Sequence, residues 1–281
     1  MTSHVTGMFF PLEVTWVDQG VQYSGTIYSK EDGYWLQSDR EWSVSTAQDS
    51  RTIPQTEVRA KSSSGPVYAK GIVYLREGYG LLKLEDLRIG TDSAEEMFVR
   101  AFAIFEHADR VVTYYHRDGA ARSYLERLNL PTLGDAPSMF LLYAPERIEL
   151  ISETPTTLEH FETHLDAFQR LLAFAAQHSA ARLSLKVETQ GGTQVNVFGR
   201  TMVKPKSFGN IDHRNFPVRL GAASTDQIIY RWWGMMENLR PIPQIISSIL
   251  AQPGYLESDF LLFATAIERL SDAWTKEPGL L

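Results

Sequence analysis

The chain has 281 residues, and its 27 lysines and arginines against 34 aspartates and glutamates give a formal net charge of -7 at pH 7. A hydrophobic content of 43%, with 6 Trp, 14 Phe and 12 Tyr, excludes an intrinsically disordered chain. The absence of cysteine excludes disulfides, thiolate metal sites and cysteine nucleophiles.

The sequence also disfavours a membrane-spanning protein and a protein that coats nucleic acid. No run approaches the roughly 18 consecutive apolar residues that a membrane span requires, and the start lacks the basic leader of a signal peptide. We therefore expect a cytoplasmic protein with no membrane partner. The negative net charge disfavours a surface that coats nucleic acid, but it leaves room for a local basic patch.

The first half of the sequence predicts strands. Aromatic and β-branched runs at 9–16, 21–29 and 34–38 are separated by Asp-Gln-Gly and Glu-Asp-Gly turn signals. The polar stretch 43–66 predicts a long loop or an irregular excursion at a sheet edge, and strand-like runs resume at residue 67. Short strands in this number, with glycine-rich turns, predict a bent sheet or a sandwich.

Helical spacing appears in the second half. Apolar residues recur at helical intervals from Leu158 to Ala175, and Thr154 and Thr156 are alternative N-caps for this helix. A hairpin about a Gly-Gly turn and two shorter helices follow. Together these elements predict an α+β fold in three segments: a β-rich part at 1–145, an α+β part at 146–252, and a final helix within 253–281.

The final helix has an apolar stripe whose partner the sequence does not identify. The stripe residues are spaced three, four, three and four positions apart, as on one face of a helix. They are Phe260, Phe263, Ile267, Leu270 and Trp274. Leu261 and Leu262 lie off the stripe, so several neighbours would be needed to bury this helix. We therefore expect the stripe to form an interdomain contact.

Several landmarks resemble a known family. The chain opens with Gly-x-Phe and a proline, contains a Gly-Thr-Ile strand, and continues to "YRWWGMMENLRPIPQIISSIL" and "ESDFLLFATAIERLSDAW". This order resembles the N-terminal region of ApeA-like bacterial abortive-infection proteins, which carry a HEPN domain at the C-terminus. The resemblance spans most of residues 7–274 and is sharpest in the final fifty residues.

The resemblance implies a role in antiviral defence. The final helix would be the first helix of a HEPN bundle whose other helices, with the ribonuclease Arg/His pair, are truncated or encoded separately. The chain as given would be a non-catalytic sensing or regulatory region, although the full-length family would be a HEPN ribonuclease. The implied partners are that helical domain, a phage-derived trigger and a second copy of the chain.

Two Arg/His pairs match the HEPN spacing by coincidence. Arg100 and His107, and Arg110 and His116, lie in segments that alternate like strands, whereas a HEPN site requires helices. We therefore assign no catalytic residue.

His160 and His164 share a helical face, and two imidazoles at that spacing can bind zinc. The intervening Glu162 is displaced by one position from the metalloprotease pattern, so it would point about 100° away from the base position. We interpret both histidines as part of a solvated polar face and expect no metal and no cofactor.

Basic and aromatic residues combine in the segment before the second helical region. This composition suits phosphate pairing and base stacking, so the segment is a candidate contact for nucleic acid or another anion. The basic residues are Lys204, Lys206, His213, Arg214 and Arg219.

Two alternative functions remain open at this point. The chain could be a module that binds a small molecule, a sugar or nucleic acid, with Trp16, Trp35 and Trp42 as a candidate sugar platform. It could instead be a cytoplasmic hydrolase with its site in the β-rich half. Strand aromatics more often pack in a core or across strands, which disfavours the platform.

Overall fold

The structure is a computed structural model that divides into two compact units. One unit comprises Met1–Phe98 with Leu183–Lys204, and the other comprises Val99–Arg182 with Pro205–Leu281. Both units are discontinuous in sequence, unlike the three chain-ordered segments expected above. The structure describes residues 9–39, 55–76, 79–106, 108, 126–144, 147–176, 180–199, 225–251, 260–262, 264–269 and 271.

The first unit is built from antiparallel strands. Six of them form a closed sheet in the order β3-β2-β1-β4-β5-β6, because β6 pairs with β3 as well as with β5. A hairpin of β11 and β12 extends it, with β12 paired to β6. The strands are β1 (Leu12–Asp18), β2 (Val21–Lys30), β3 (Gly33–Ser38), β4 (Gln55–Ser62), β5 (Gly65–Arg76), β6 (Tyr79–Ile89), β11 (Arg182–Thr189) and β12 (Gln194–Gly199).

Alternation of apolar and polar residues explains these strands. In β1 the side chains of Leu12, Val14 and Trp16 are buried, and the intervening Glu13 and Thr15 are exposed. A period of two residues places successive side chains on opposite faces of a sheet. The predicted β-rich first half is therefore confirmed, and its sheet closes on itself around an apolar core.

The predicted long loop at 43–66 is wrong over its second part, which contains β4 and the start of β5. Val58 and Ala60 are buried in β4, and the residues between and beside them are charged and exposed. Because the outward residues include Glu57 and Arg59, the segment appears polar in composition although its inward positions are apolar. The alternation of apolar and charged residues indicates this strand, whereas the overall composition of the segment does not.

Gly71 occupies an irregular point in the pairing of β5 with β6. The register shifts between Lys70 and Gly71, as at a β-bulge. A Cβ atom added at Gly71 would lie 2.1 Å from the backbone oxygen of Lys83. Only glycine therefore permits the two strands to approach this closely.

We expect Gly71→Ala to destabilise the first unit by about 1–3 kcal/mol or more, because the clash is with backbone that cannot rotate away. Gly191→Ala is the matched control, since the nearest atom to its added Cβ is 3.8 Å away. Urea denaturation of the two variants measures the difference. Equal midpoints would show that the β5–β6 pairing relaxes around the methyl group.

The described part of the second unit contains four consecutively paired strands in the order β7-β10-β9-β8, three helices and a further helical segment at 260–262, 264–269 and 271. The polar-looking run "ERLNL" forms β8, which the sequence analysis did not assign. The elements are β7 (Phe98–Phe105), β8 (Glu126–Leu130), β9 (Met139–Ala144), β10 (Arg147–Thr156), α1 (Leu158–Ala176), α2 (Thr225–Asn238) and α3 (Ile242–Ala251).

Helix α1 packs on one face of this sheet. Phe105 of β7 contacts Phe168 of α1, with their ring centres 5.9 Å apart. Leu141 and Ile148, which point to this same side, are completely buried. The N-cap of α1 is Thr157, whose hydroxyl accepts a hydrogen bond from the His160 amide at 3.4 Å. The expected caps Thr154 and Thr156 instead lie in β10.

Helices α2 and α3 pack against α1. The indole nitrogen of Trp232 donates to the carbonyl of Ala167 at 2.9 Å, and that of Trp233 donates to His164 Nδ1 at 3.0 Å. Arg170 in α1 donates to Ser247 in α3 at 3.0 Å. None of the helices within the described ranges has the length and apolar character that a membrane crossing requires.

Candidate functional site

The face of the second unit's sheet opposite α1 carries a group of arginine and phenylalanine side chains. We call it the arginine face, and define it by Arg100 and Phe102 of β7, Arg147 and Glu149 of β10, Phe140 of β9 and Arg127 of β8.

Strand register places these side chains together. Leu142 lies opposite both Arg127 of β8 and Glu149 of β10, so the three residues share one face. Phe140 is two residues from Leu142 and therefore projects to the same side. Neighbouring residues such as Leu141 point the other way, towards α1. The period of two thus separates an apolar, helix-covered face from a charged and aromatic one.

Glu149 holds two arginines over one phenyl ring. Its Oε1 lies 3.2 Å from Arg100 Nε, and its Oε2 lies 3.7 Å from Arg147 Nη2. The guanidinium carbons of Arg100 and Arg147 are 5.9 and 5.1 Å from the ring centre of Phe102. The Glu149 side chain is only 9% exposed, whereas that of Arg147 is 53% exposed. The carboxylate is therefore enclosed while Arg147 reaches solvent.

Arg127 stacks closely on the second ring. Its guanidinium carbon is 3.6 Å from the ring centre of Phe140, and the residue is exposed to solvent. At this distance the planar guanidinium covers the phenyl group and presents a cationic surface outward. Of the six residues that define the face, three are arginines and one is a glutamate, in a chain whose formal charge is -7.

The predicted basic contact lies outside the described residues at all five positions. These are Lys204, Lys206, His213, Arg214 and Arg219. The sequence analysis missed the arginine face because its residues come from four separate strands. The only local signal was the spacing of two residues between Arg100 and Phe102, and between Arg147 and Glu149.

The predicted apolar stripe is described at two of its five positions. Residues 260–262, 264–269 and 271 are helical, and we call this segment the 260–271 helix. Phe260 is 71% exposed and Ile267 is 64% exposed, whereas Ala266 is 4% exposed and clusters with Leu239 and Ile242. The other three stripe positions, Phe263, Leu270 and Trp274, lie outside the described residues.

The expected solvated face for both histidines is wrong for His164, which is fully buried. Its Nδ1 accepts the indole proton of Trp233, so its Nε2 carries hydrogen and donates to the carbonyl of Pro137 at 2.8 Å. Helix α2 covers a position that spacing alone placed opposite the apolar face. Among the described residues, no group of three His, Asp or Glu side chains could hold a metal ion.

His160 and Glu162, the other residues of the zinc-type pattern considered in the sequence, also contact protein groups. The His160 ring lies 2.6 Å from the hydroxyl of Thr156, and Glu162 lies 3.5 Å from buried Arg182. Arg100 belongs to a strand, as its alternation predicted. The other residues of the two coincidental Arg/His pairs, His107, Arg110 and His116, lie outside the described residues.

The tryptophans of the first unit differ in environment. Trp16 is buried and stacks on Tyr23 with ring centres 5.5 Å apart. Trp35 lies beneath the ammonium groups of Lys30 and Lys83, at 5.1 and 5.3 Å. Trp42 lies outside the described residues. Because Trp16 belongs to the core, it is not part of an exposed sugar platform with Trp35.

Comparisons of the chain with protein-family models, with curated proteins and with solved structures found no match. A functional assignment therefore depends on the chemistry of the residues described above.

Burial lowers the pKa of His164 below its ordinary value of 6.5, and the charge on His160 acts in the same direction, although the bond to Pro137 opposes them. The unfolded chain therefore binds a proton at a higher pH than the folded chain. We expect the contribution of neutral His164 to the free energy of unfolding to be complete above pH 6.5. It should fall as the pH decreases towards the pKa of the folded state, by at most about 1.4 kcal/mol per pH unit.

Denaturant titrations of the parent and His164→Gln measure this dependence. Glutamine supplies a donor and an acceptor without a titrating group, so the variant should lose less stability on acidification than the parent. Equal acid sensitivity in the two proteins would assign the effect to other groups.

Proposed function

We propose that the chain is a non-catalytic sensing and regulatory region, similar in role to the N-terminal region of ApeA-like abortive-infection proteins, which docks a helical effector through the 260–271 helix. The observation that carries this proposal is the exposure of Phe260 and Ile267 on a helix whose small residue, Ala266, faces the protein. A helix normally turns its large apolar residues inward, so this orientation supports a second partner on the outer side.

The energy of burial supports the same proposal. Covering a side chain such as Phe or Ile contributes roughly 1.5–3 kcal/mol, and Leu261 adds a third large apolar group at 65% exposure. Exposed apolar groups concentrated on one segment are typical of a protein–protein contact surface. Helical stripes are matched by other helices, which favours a helical effector as the occupant.

The proposed setting is a cytoplasmic defence response. A phage-derived trigger would bind the region, and the docked effector, of the HEPN ribonuclease class, would act on RNA. The effector would be part of a longer form of this chain or a separate protein. In its absence, the 260–271 helix is expected to contact a second copy of the chain.

We expect the double variant Phe260→Asp with Ile267→Glu to keep the melting temperature of the parent and to become more monomeric. Both side chains are already in solvent, so the new charges cost little folding energy and oppose association. Ala266→Asp on the same helix is the control, and it should lower the melting temperature because it buries a carboxylate. Sedimentation velocity and thermal denaturation provide the two measurements.

Two outcomes would contradict this role of the helix. If the double variant melts as early as Ala266→Asp, the apolar residues contribute to the fold of the unit. If the distribution of oligomers is unchanged at every concentration, the helix does not mediate association.

The purified chain is expected not to cleave RNA by itself, since catalysis is assigned to the docked effector. Incubation with labelled RNA in the presence of a chelator tests this expectation. Cleavage that disappeared in His107→Ala or His116→Ala would instead place a metal-independent nuclease site in this chain.

A further inference from the structure

We infer that the arginine face is a binding surface for single-stranded nucleic acid. This activity goes beyond the proposed function, because it concerns the sheet of the second unit and does not require the 260–271 helix. The inference depends on three features of the face: its solvent-exposed arginines, its stacked planar groups and its position on one side of a sheet.

Charge selects an anionic ligand. Arg147 Nη2 lies 3.7 Å from Glu149, which is longer than a hydrogen bond, and its side chain is 53% exposed. Arg127 is exposed and contacts the Phe140 ring. Both guanidinium groups can therefore donate to phosphate oxygens, for which their planar geometry is well suited. The enclosed Glu149 orients Arg100 and Arg147, and Arg147 still reaches solvent.

Aromatic and guanidinium planes select a ligand with flat rings. The phenyl rings of Phe102 and Phe140 lie on β7 and β9, which are separated by β10, so two strand spacings of about 4.8 Å keep them at least roughly 10 Å apart on the sheet. Guanidinium groups cover these rings, so an unpaired base would stack on the outward plane of an arginine that a ring supports from beneath. An acidic peptide would satisfy the charge but would leave the stacking surfaces unused.

A sheet face with solvent-exposed arginines favours single-stranded nucleic acid over a duplex. Bases in a duplex stack on each other and present only their edges, so their faces cannot lie on the ring-supported guanidinium planes. A single strand can spread its bases on the sheet while its phosphates contact the arginines between them. Single-stranded RNA and DNA share this chemistry, and the two arms of the binding experiment distinguish them.

Fluorescence anisotropy with labelled oligouridylate and oligothymidylate tests the inference, with a blunt duplex and polyglutamate as competitors. The variant Arg127→Gln with Arg147→Gln should weaken binding and reduce the slope of log K against log salt by about 1.4, since each phosphate contact to a single strand contributes roughly 0.7. Phe140→Leu keeps an apolar side chain but removes the aromatic plane that supports the Arg127 guanidinium, and should weaken binding by about 5- to 100-fold.

The control is Arg59→Gln with Lys61→Gln, which removes the same charge from exposed positions on β4. It should retain the affinity and salt slope of the parent. Circular dichroism and melting temperatures of all variants establish that each is folded, so a loss of binding reports the surface.

Several results would overturn the inference. The parent chain could fail to bind either oligonucleotide at low salt, or the control could lose as much affinity as the arginine-face variant. Equal competition by polyglutamate would identify a general polyanion surface, and equal binding of the duplex would exclude base stacking. Unchanged affinity in Phe140→Leu would also exclude stacking on the Arg127–Phe140 pair.

Discussion

One neutral imidazole joins the layers of the second unit. An indole nitrogen can only donate, so His164 must accept at Nδ1 from Trp233, and it must then donate from Nε2 to Pro137. This ring thus connects α1, α2 and the loop before β9, all in a fully buried position. A protonated imidazole would have two donors and could not accept the indole hydrogen bond.

Fixing the helices on one side gives the sheet two chemically different faces. The side facing α1 is apolar, and the opposite side carries the arginine face. Glu149 is tolerated in an enclosed position because two guanidinium groups lie beside its carboxylate. The resulting cluster is well suited to recognition, since its charged planes are oriented before any ligand is present.

The 260–271 helix offers a second surface of different chemistry. It contacts the unit through Ala266 and directs Phe260 and Ile267 to solvent. A cationic, aromatic sheet face suits a nucleic acid, whereas an apolar helix suits another helix. The proposed function assigns contact with an effector to the helix, whereas the inferred binding of nucleic acid is assigned to the arginine face.

The sequence by itself determined the α+β class, most strands of the first half and the long amphipathic helix, because periods of two and 3.6 residues are local properties of the chain. It did not reveal β4, whose outward residues are charged, or β8. Tertiary structure alone decided the closure of the first sheet, the burial of His164 and the assembly of the arginine face. Each of these depends on pairing between residues distant in sequence: β3 with β6, α1 with α2, and Arg127 with Phe140 across neighbouring strands. Local spacing specifies which side of an element a residue occupies, but the packing of other elements decides what that side meets.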